Sequence, residues 1–313
     1  MRQLKEKTLK KEEGEWNNET SMIIVNPTSG KEEAQDYAEK AATELIKIGY
    51  TVTVNETKKE MDATYFCQDA CQEKFDLVVS AGGDGTLHET INGMVESDYR
   101  PTLAVIPLGT VNDFARALRI PLNPEKAIQV LQSTTTRKAD IGKVNEQLFI
   151  NVIAAGKLAA SLSEVPSDEK SKLGFLAYVK EGFKTLVGNA ASPLTITYDN
   201  QRWEGDSILF VAALTNSVGG FEQLAPSAEI DDGLLHCFVV KDTNWFDTAV
   251  VGTSLLTGNL ENSRHVHAFT AKKIRVESTE TITTNIDGES GTSLPIEIHL
   301  LPSHIDVLVP EST

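Results

Sequence analysis

Hydrophobic and polar positions follow two rhythms along this chain. From Ser21, short apolar runs of strand type alternate with stretches whose apolar residues recur at helical spacing. The reading is strand Met22–Asn26, helix from about Lys31 to Ile48, strand Thr51–Asn55, helix Ala63–Gln72, strand Phe75–Ser80, helix Leu87–Val95, strand Thr102–Ile106 and helix Asn112–Leu118. Strand then helix in repeated succession predicts a parallel sheet covered on both faces. Pro121 and Pro124 break the rhythm, a short helix runs to Leu131, and Ser133 to Thr136 reads as a linker or the start of a further strand. Beyond it, Leu148–Ala155, Leu194–Tyr198, Ile208–Leu214, Leu235–Val240, Ile274–Val276, Thr281–Ile286, Ile296–Leu300 and Ile305–Val309 are strand-like and helical patterns are few. The predicted fold is therefore an α/β N-terminal domain with a parallel sheet, followed by a β-rich, mostly antiparallel second domain. Residues 1–21 are expected to be a flexible extension, 22–133 the first domain and 134–313 the second, with the C-terminal end a candidate to return to the first.

Composition narrows the partners. The 313 residues suffice for two cores at about 150 residues per domain. Hydrophobic residues at 40% and charged residues at 24% are ordinary globular usage and exclude a disordered chain. A net charge of −16 repels phosphate backbones, so no nucleic-acid partner is expected. The longest apolar run, Ile208–Leu214, falls far short of the roughly 18 residues of a spanning helix. The first residues alternate Lys and Glu with no apolar segment, which predicts a soluble cytoplasmic protein. Cys67, Cys71 and Cys237 match neither a zinc spacing nor a disulfide framework and read as reduced packing residues.

The sharpest chemical signal is Gly82-Gly83-Asp84-Gly85-Thr86, between a strand end and a helix start. Glycines there let backbone approach a ligand closely, and helix N–H groups attract anions, so phosphate is the natural guest; the competing reading is a tight turn. Neither a dinucleotide fingerprint nor a Walker loop matches it, and Gly30-Lys31 also fails the Walker pattern. Asn26-Pro27-Thr28-Ser29-Gly30 and Pro107 to Asp113 leave two further parallel strands at the same rim, where open α/β sheets bind ligands. Asp287 and Glu289 flank Gly288 at a strand end, where alternation would send both carboxylates to one side; Asp287-Gly288 is equally a hairpin-turn dipeptide. Asp231-Asp232-Gly233 is similarly ambiguous between a turn and a magnesium cage of one carboxylate plus backbone carbonyls. His265 and His267 share a strand face without a third ligand and read as a surface pair. Leu176, Val179, Phe183 and Leu186, near Lys172, Lys180 and Lys184, form an amphipathic pattern that either packs on its own core or meets a bilayer.

Taken together, Asn26 to Gly30, Gly82 to Thr86, Gly109-Thr110-Val111-Asn112-Asp113-Phe114, Leu214 to Ser217, Asp231 to Gly233 and Asn285-Ile286-Asp287-Gly288-Glu289 resemble, in order, the diacylglycerol kinase catalytic-domain family. From Met22 onward the chain looks like the soluble bacterial lipid kinases, distant relatives of sphingosine kinases and NAD kinases. The resemblance implies two domains with a nucleotide in the cleft, ATP as phosphate donor, Mg²⁺, and phosphoryl transfer to a lipid hydroxyl at the membrane surface, diacylglycerol being the first candidate. Carried over by position, Asn26, Pro27, Thr28, Ser29, Gly30, Thr57, Gly83, Asp84, Gly85, Thr86, Leu87, His88, Glu89 and Thr110 would contact ATP. His88 stands where the resemblance leads one to expect Asn. Asp84, Asp287 and Glu289 would be catalytic, with Glu289 the proton acceptor and Asp287 holding metal or competing for that role. A magnesium apart from the nucleotide maps onto the Asp232 carboxylate and the backbone oxygens of Glu229 and Leu234. Asp140, Lys31 and Lys180 match positions that would link this metal to the cleft. A homodimer is a candidate assembly. Two rival readings are a kinase of a soluble hydroxyl compound and a non-catalytic nucleotide-binding regulator.

Overall fold

The computed structural model describes residues 7–9, 19–30, 33–156, 191–218, 224–242 and 257–311, together with 247, 250, 251, 253 and 254. They form two compact units, residues 1–139 with 304–313, and residues 140–303.

The first unit contains β1 (Lys7–Leu9), β2 (Thr20–Val25), α1 (Ala34–Lys47), β3 (Thr51–Glu56), α2 (Asp62–Gln72), β4 (Leu77–Gly82), α3 (Asp84–Val95), β5 (Thr102–Pro107), α4 (Asp113–Ala117) and α5 (Pro124–Val130). Strands β3, β2, β4 and β5 are parallel neighbours in that order, with Ile23 opposite Val54 and Val79, and Val79 opposite Ala104. All six residues of β4 are buried, as an uninterrupted apolar run in a doubly covered strand demands. Ala38, Ala41 and Leu45 of α1 pack on Ile23, Val25, Val79 and Ile106. Beyond β5 the C-terminal segment adds a parallel edge, Val307 opposite Leu103. Part of the expected extension is ordered into the sheet: Lys7–Leu9 pairs antiparallel with Val54 to Val52, and β2 already begins at Thr20. Three residues are too few to show periodicity; the open edge of β3 supplies the order.

The second unit is antiparallel. After β6 (Thr136–Val144) come β7 (Gln147–Phe149), β8 (Val152–Ala155), β9 (Ser192–Tyr198), β10 (Gln201–Ala213), β11 (Leu235–Lys241), β12 (Val266–Ala271), β13 (Lys273–Ser278), β14 (Thr283–Ile286), β15 (Glu289–Ser293) and β16 (Ile296–Leu308). Strand order is β16-β13-β9-β10-β8-β14-β15, with β11 also on β10 and β12 on β11. Along β10, Phe210 and Ala212 enter one core with Phe149 and Ile196, while Val211 and Ala213 enter the other with Phe238 and Val251. The expected strand Leu148–Ala155 is in fact two, because the N–H groups of residues 150–152 bond a carboxylate instead of a neighbouring strand. Ile296–Leu300 and Ile305–Val309 are one strand despite Pro302 and a left-handed Ser303. The polar first half of β10 pairs with β9 from Gln201 and carries no hydrophobic signal. All three cysteines are buried free thiols.

Helices α2 and α3 meet at Gly93, where an added methyl would lie 2.5 Å from Thr64 O and 2.6 Å from Cys67 Cβ. Gly93→Ala should lower the urea-unfolding free energy by about 1–3 kcal/mol, the usual cost of overpacking. An unchanged midpoint in chemical denaturation would contradict this packing.

Candidate active site

Parallel order places the carboxyl ends of β2, β3, β4 and β5 on one rim. Thr57 lies there after β3, its N–H on Val25 O at 2.9 Å. After β2, the Asn26 side-chain carbonyl accepts from Thr28 N (3.1 Å) and Thr28 Oγ1 (2.8 Å), while its amide donates to Thr86 Oγ1 at 3.3 Å. Asn26 thus ties the first loop to the helix that opens the second. Pro27 and Ser29 lie within that turn, and Gly30 closes it at φ 63° against Leu108.

The loops after β4 and β5 are locked together. A methyl on Gly109 would stand 2.7 Å from Gly83 Cα, so both positions need glycine for the backbones to touch. The Asp84 carboxylate accepts Asn112 N–H at 2.8 Å and Asp113 N–H at 3.1 Å, and the Asn112 side chain brackets Gly109 through its N–H (3.1 Å) and carbonyl (2.8 Å). Asn112 holds this bracket in a left-handed conformation, φ 54°. Thr110 is exposed at the loop tip. Gly82 is required because a methyl would strike Thr86 Cβ at 2.6 Å, whereas one on exposed Gly85 would meet nothing within 4 Å. Leu87 is buried, so its side chain serves the core. Glu89 reaches the start of α2, accepting Ala63 N–H at 3.2 Å, and His88 Nδ1 lies 3.4 Å from Asn92 Nδ2.

In the second unit, Asp287 and Gly288 have φ 48° and 95° and make the two-residue turn of the β14–β15 hairpin. The expectation that Asp287 and Glu289 point to one side of a strand is thereby corrected, because strand alternation requires extended backbone. Asp287 turns to β8 instead and accepts the N–H groups of Ile150 (2.7 Å), Asn151 (2.9 Å) and Val152 (2.8 Å). Gly288 N–H is held by the Asn285 side chain at 3.0 Å, and exposed Glu289 begins β15.

Asp232 sits in the turn before β11. Its carboxylate accepts the N–H groups of Glu229 (3.1 Å) and Leu234 (2.9 Å) and meets His236 Nε2 at 2.8 Å. Asp140, 1% exposed, accepts Gly233 N–H at 2.7 Å and Ser303 N–H at 2.6 Å. Burial pushes the Asp140 carboxyl above its ordinary range, those two N–H groups oppose the rise, and nearby Asp232 and Asp231 add to it. His265 and His267 do not act as a pair: the first faces Asp247 at 3.3 Å and the second the Tyr198 hydroxyl at 3.1 Å. Lys31, Lys180 and the amphipathic pattern of Leu176 to Leu186 lie outside the described residues. Sequence reasoning missed the bracketing role of Asn112, the Arg116 Nε bond to Val111 O at 2.8 Å, and Asn151; the last interrupts an apolar run, which was the available signal.

A parallel sheet with three glycine-and-hydroxyl loops on one rim is thus joined in sequence to an antiparallel unit with an acidic hairpin. Residues 20–144 match the diacylglycerol kinase catalytic domain, and residues 151–309 match the YegS C-terminal NAD kinase beta sandwich-like domain. The chain is 40% identical over 290 residues to a diacylglycerol kinase of Bacillus subtilis, covering 92% of this chain and 96% of that one. It is 41% identical over 290 residues to a diacylglycerol kinase of Staphylococcus aureus, covering 92% and 91%. A solved structure from Bacillus anthracis superposes with a TM-score of 0.84 at 30% identity, covering 96% of this chain and 98% of that one. The chain belongs to the diacylglycerol kinase family of lipid kinases.

Replacing Asp287 by Ala leaves three backbone N–H groups without their acceptor and should destabilise the protein by about 3 kcal/mol or more. Glu289→Ala, at an exposed position, should stay within about 0.5 kcal/mol of the parent. Equal losses for the two variants in chemical denaturation would refute the division of labour between the two acids.

Proposed function

We propose that the protein transfers the γ-phosphate of ATP to the hydroxyl of diacylglycerol at a membrane surface, giving phosphatidic acid. The observation that carries this reading is the Asp84 clamp, which holds two glycine loops together at the start of α3. This helix has twelve residues and opens on Gly83 with no side-chain cap, so its N-terminus favours the negative charge of phosphates. Gly85 supports the same reading. The protein's own packing does not demand a glycine there, and in a helix it costs roughly 0.5–1 kcal/mol against Ala, but a bare backbone lets a phosphate approach.

A loose phosphoryl-transfer transition state asks the protein chiefly to position groups and neutralise charge. In this reading Asn26 to Gly30, Thr57, Gly83 to Glu89 and Thr110 hold ATP, Leu87 and Glu89 through backbone and helix placement. Asp84 is a positioning residue, since both its oxygens face the Asn112–Asp113 backbone. Glu289 accepts the alcohol proton as the new P–O bond forms. Asp287 is the poorer base because three N–H groups already occupy its carboxylate.

In the same reading a magnesium ion belongs at the turn around Asp232, whose carboxylate would share its remaining lone pair with the metal while still holding the Glu229 and Leu234 N–H groups and His236. Asp231 and Asp232 stand beside buried Asp140, and a hard cation would offset the charge these acids share. The Asp232 carboxylate and the carbonyls of Glu229 and Leu234 would hold it, and there it supplies charge neutralisation. No group of three ligating side chains occurs among the described residues, so waters would complete the shell. No helix among the described residues is long and apolar enough to cross a membrane. Contact with a water-insoluble acceptor at the cytoplasmic surface of the bilayer is part of the same proposal, because diacylglycerol resides in membranes.

Labelled ATP and a lipid panel in mixed micelles test the reading: phosphatidic acid is the expected product, and label confined to a water-soluble alcohol would overturn the lipid assignment. Glu289→Gln should lower kcat by about 10²–10⁴-fold, the usual reach of general-base catalysis, and Asp84→Ala should abolish transfer; normal turnover in either folded variant removes its assigned role. Asp232→Ala should raise the magnesium concentration needed for half-maximal activity. An unchanged magnesium titration would count against that site.

A further inference from the structure

Among the described residues, one buried polar atom beside the acidic hairpin has no hydrogen-bond partner. Asn151 is 4% exposed, and its backbone is fully engaged: its N–H bonds Asp287 Oδ1 at 2.9 Å and its carbonyl accepts Leu214 N–H at 2.9 Å. Its side-chain Oδ1, by contrast, is buried without a hydrogen bond among the described residues. The two other such oxygens belong to Ser21 and Ser263, whose hydroxyls turn freely to suit their surroundings. An amide carbonyl has no proton to redirect, and enclosing it unpaired is a net loss that an arriving donor would cancel.

The position is as telling as the missing bond. Ile153 pairs with Ile286, so two residues earlier Asn151 lies beside the Asp287-Gly288 turn that leads into Glu289. On the other side Val152 pairs with Ala213, after which Thr215 and Ser217 bond within their own turn. Among the described residues, neither flank gives the amide carbonyl a donor.

We propose that Asn151 is a positioning residue on the acceptor side of the reaction. Its Oδ1 receives an O–H group that is not part of the chain, next to Glu289. Two sources share this chemistry: a water sealed beside the hairpin, or the acceptor alcohol, reached when the amide turns outward from its covered rotamer. In the second case the hydroxyl rests on Asn151 until it turns its proton toward Glu289; its oxygen then bonds Pγ of ATP as the bond from Pγ to the β-phosphate oxygen breaks and ADP leaves, and the O–H proton passes to Glu289. The inference rests on the lipid-kinase reading above.

The test compares wild type with Asn151→Leu, which removes the amide at similar volume, and with Asn151→Ala should the leucine variant fail to fold. Both are assayed with dioctanoylglycerol, with 3-deoxy dioctanoylglycerol as competitor. If the alcohol is the partner, the variant's lipid KM rises at least tenfold at unchanged ATP KM, and its preference for the hydroxylated lipid over the deoxy competitor collapses. If water is the partner, kcat falls about tenfold with both KM values unchanged, and a wild-type crystal shows a water on Asn151 Oδ1 that the variant lacks. Kinetics and discrimination equal to wild type in a folded variant would overturn the inference alone. Absence of ATP-dependent transfer to any lipid in wild type would end both it and the parent reading.

Discussion

The loops that matter in both units depend on one kind of contact, a carboxylate accepting backbone N–H groups from a distant part of the chain. Asp84 closes the loops after β4 and β5 from 28 and 29 residues away. Asp287 gathers three consecutive N–H groups across 135 to 137 residues. Asp140 secures the Asp231–Gly233 turn and the irregular point at Ser303 across 93 and 163 residues. Hydrogen bonds to a charged group contribute about 1.5–3 kcal/mol each, roughly twice a neutral pair, and in each case the loop would otherwise leave N–H groups stranded. Glycine contacts such as Gly83 against Gly109 determine how near the backbones come; the acids determine that they stay there.

This arrangement sorts the acidic residues by task. Acids whose oxygens are occupied by N–H groups fix the shape of their loops, and an acid left exposed beside them keeps its oxygens open to solvent. Asp287 and Glu289 are two residues apart and chemically alike, yet the hairpin sends one inward to β8 and leaves the other in the open. Local backbone conformation, a pair of positive φ angles, is what separates them.

The parallel half of the fold was legible because its strands are fully buried apolar runs, as in β4, and its helices carry a single apolar face, as Ala38, Ala41 and Leu45 do in α1. The second half was legible in kind but not in detail. Residues 201–206, polar apart from Trp203 and Gly205, pair as regularly as apolar ones, and a broken strand at Ile150–Asn151 looks continuous when judged by hydrophobicity alone. Motif spacing located the glycine loops and the acidic turns. It could not reveal which N–H groups each acid would hold, because those partners are set by tertiary contacts between residues far apart in sequence. Alternation misjudged Asp287 for the same reason that Asp-Gly is a turn dipeptide: the left-handed backbone cancels a period of two.

Strand β16 gives the parallel sheet its last edge, with Val307 beside Leu103 and Val309 bonded to Thr135. On the ribosome, then, the nucleotide-type sheet is made first and finished last. Until residues 304–309 emerge, β5 presents an unsatisfied strand edge of the sort that invites pairing with other nascent chains. A stop codon just upstream of that segment would therefore expose a sticky margin far from the lesion in sequence, and a chaperone dwelling on β5 would be the natural remedy during synthesis.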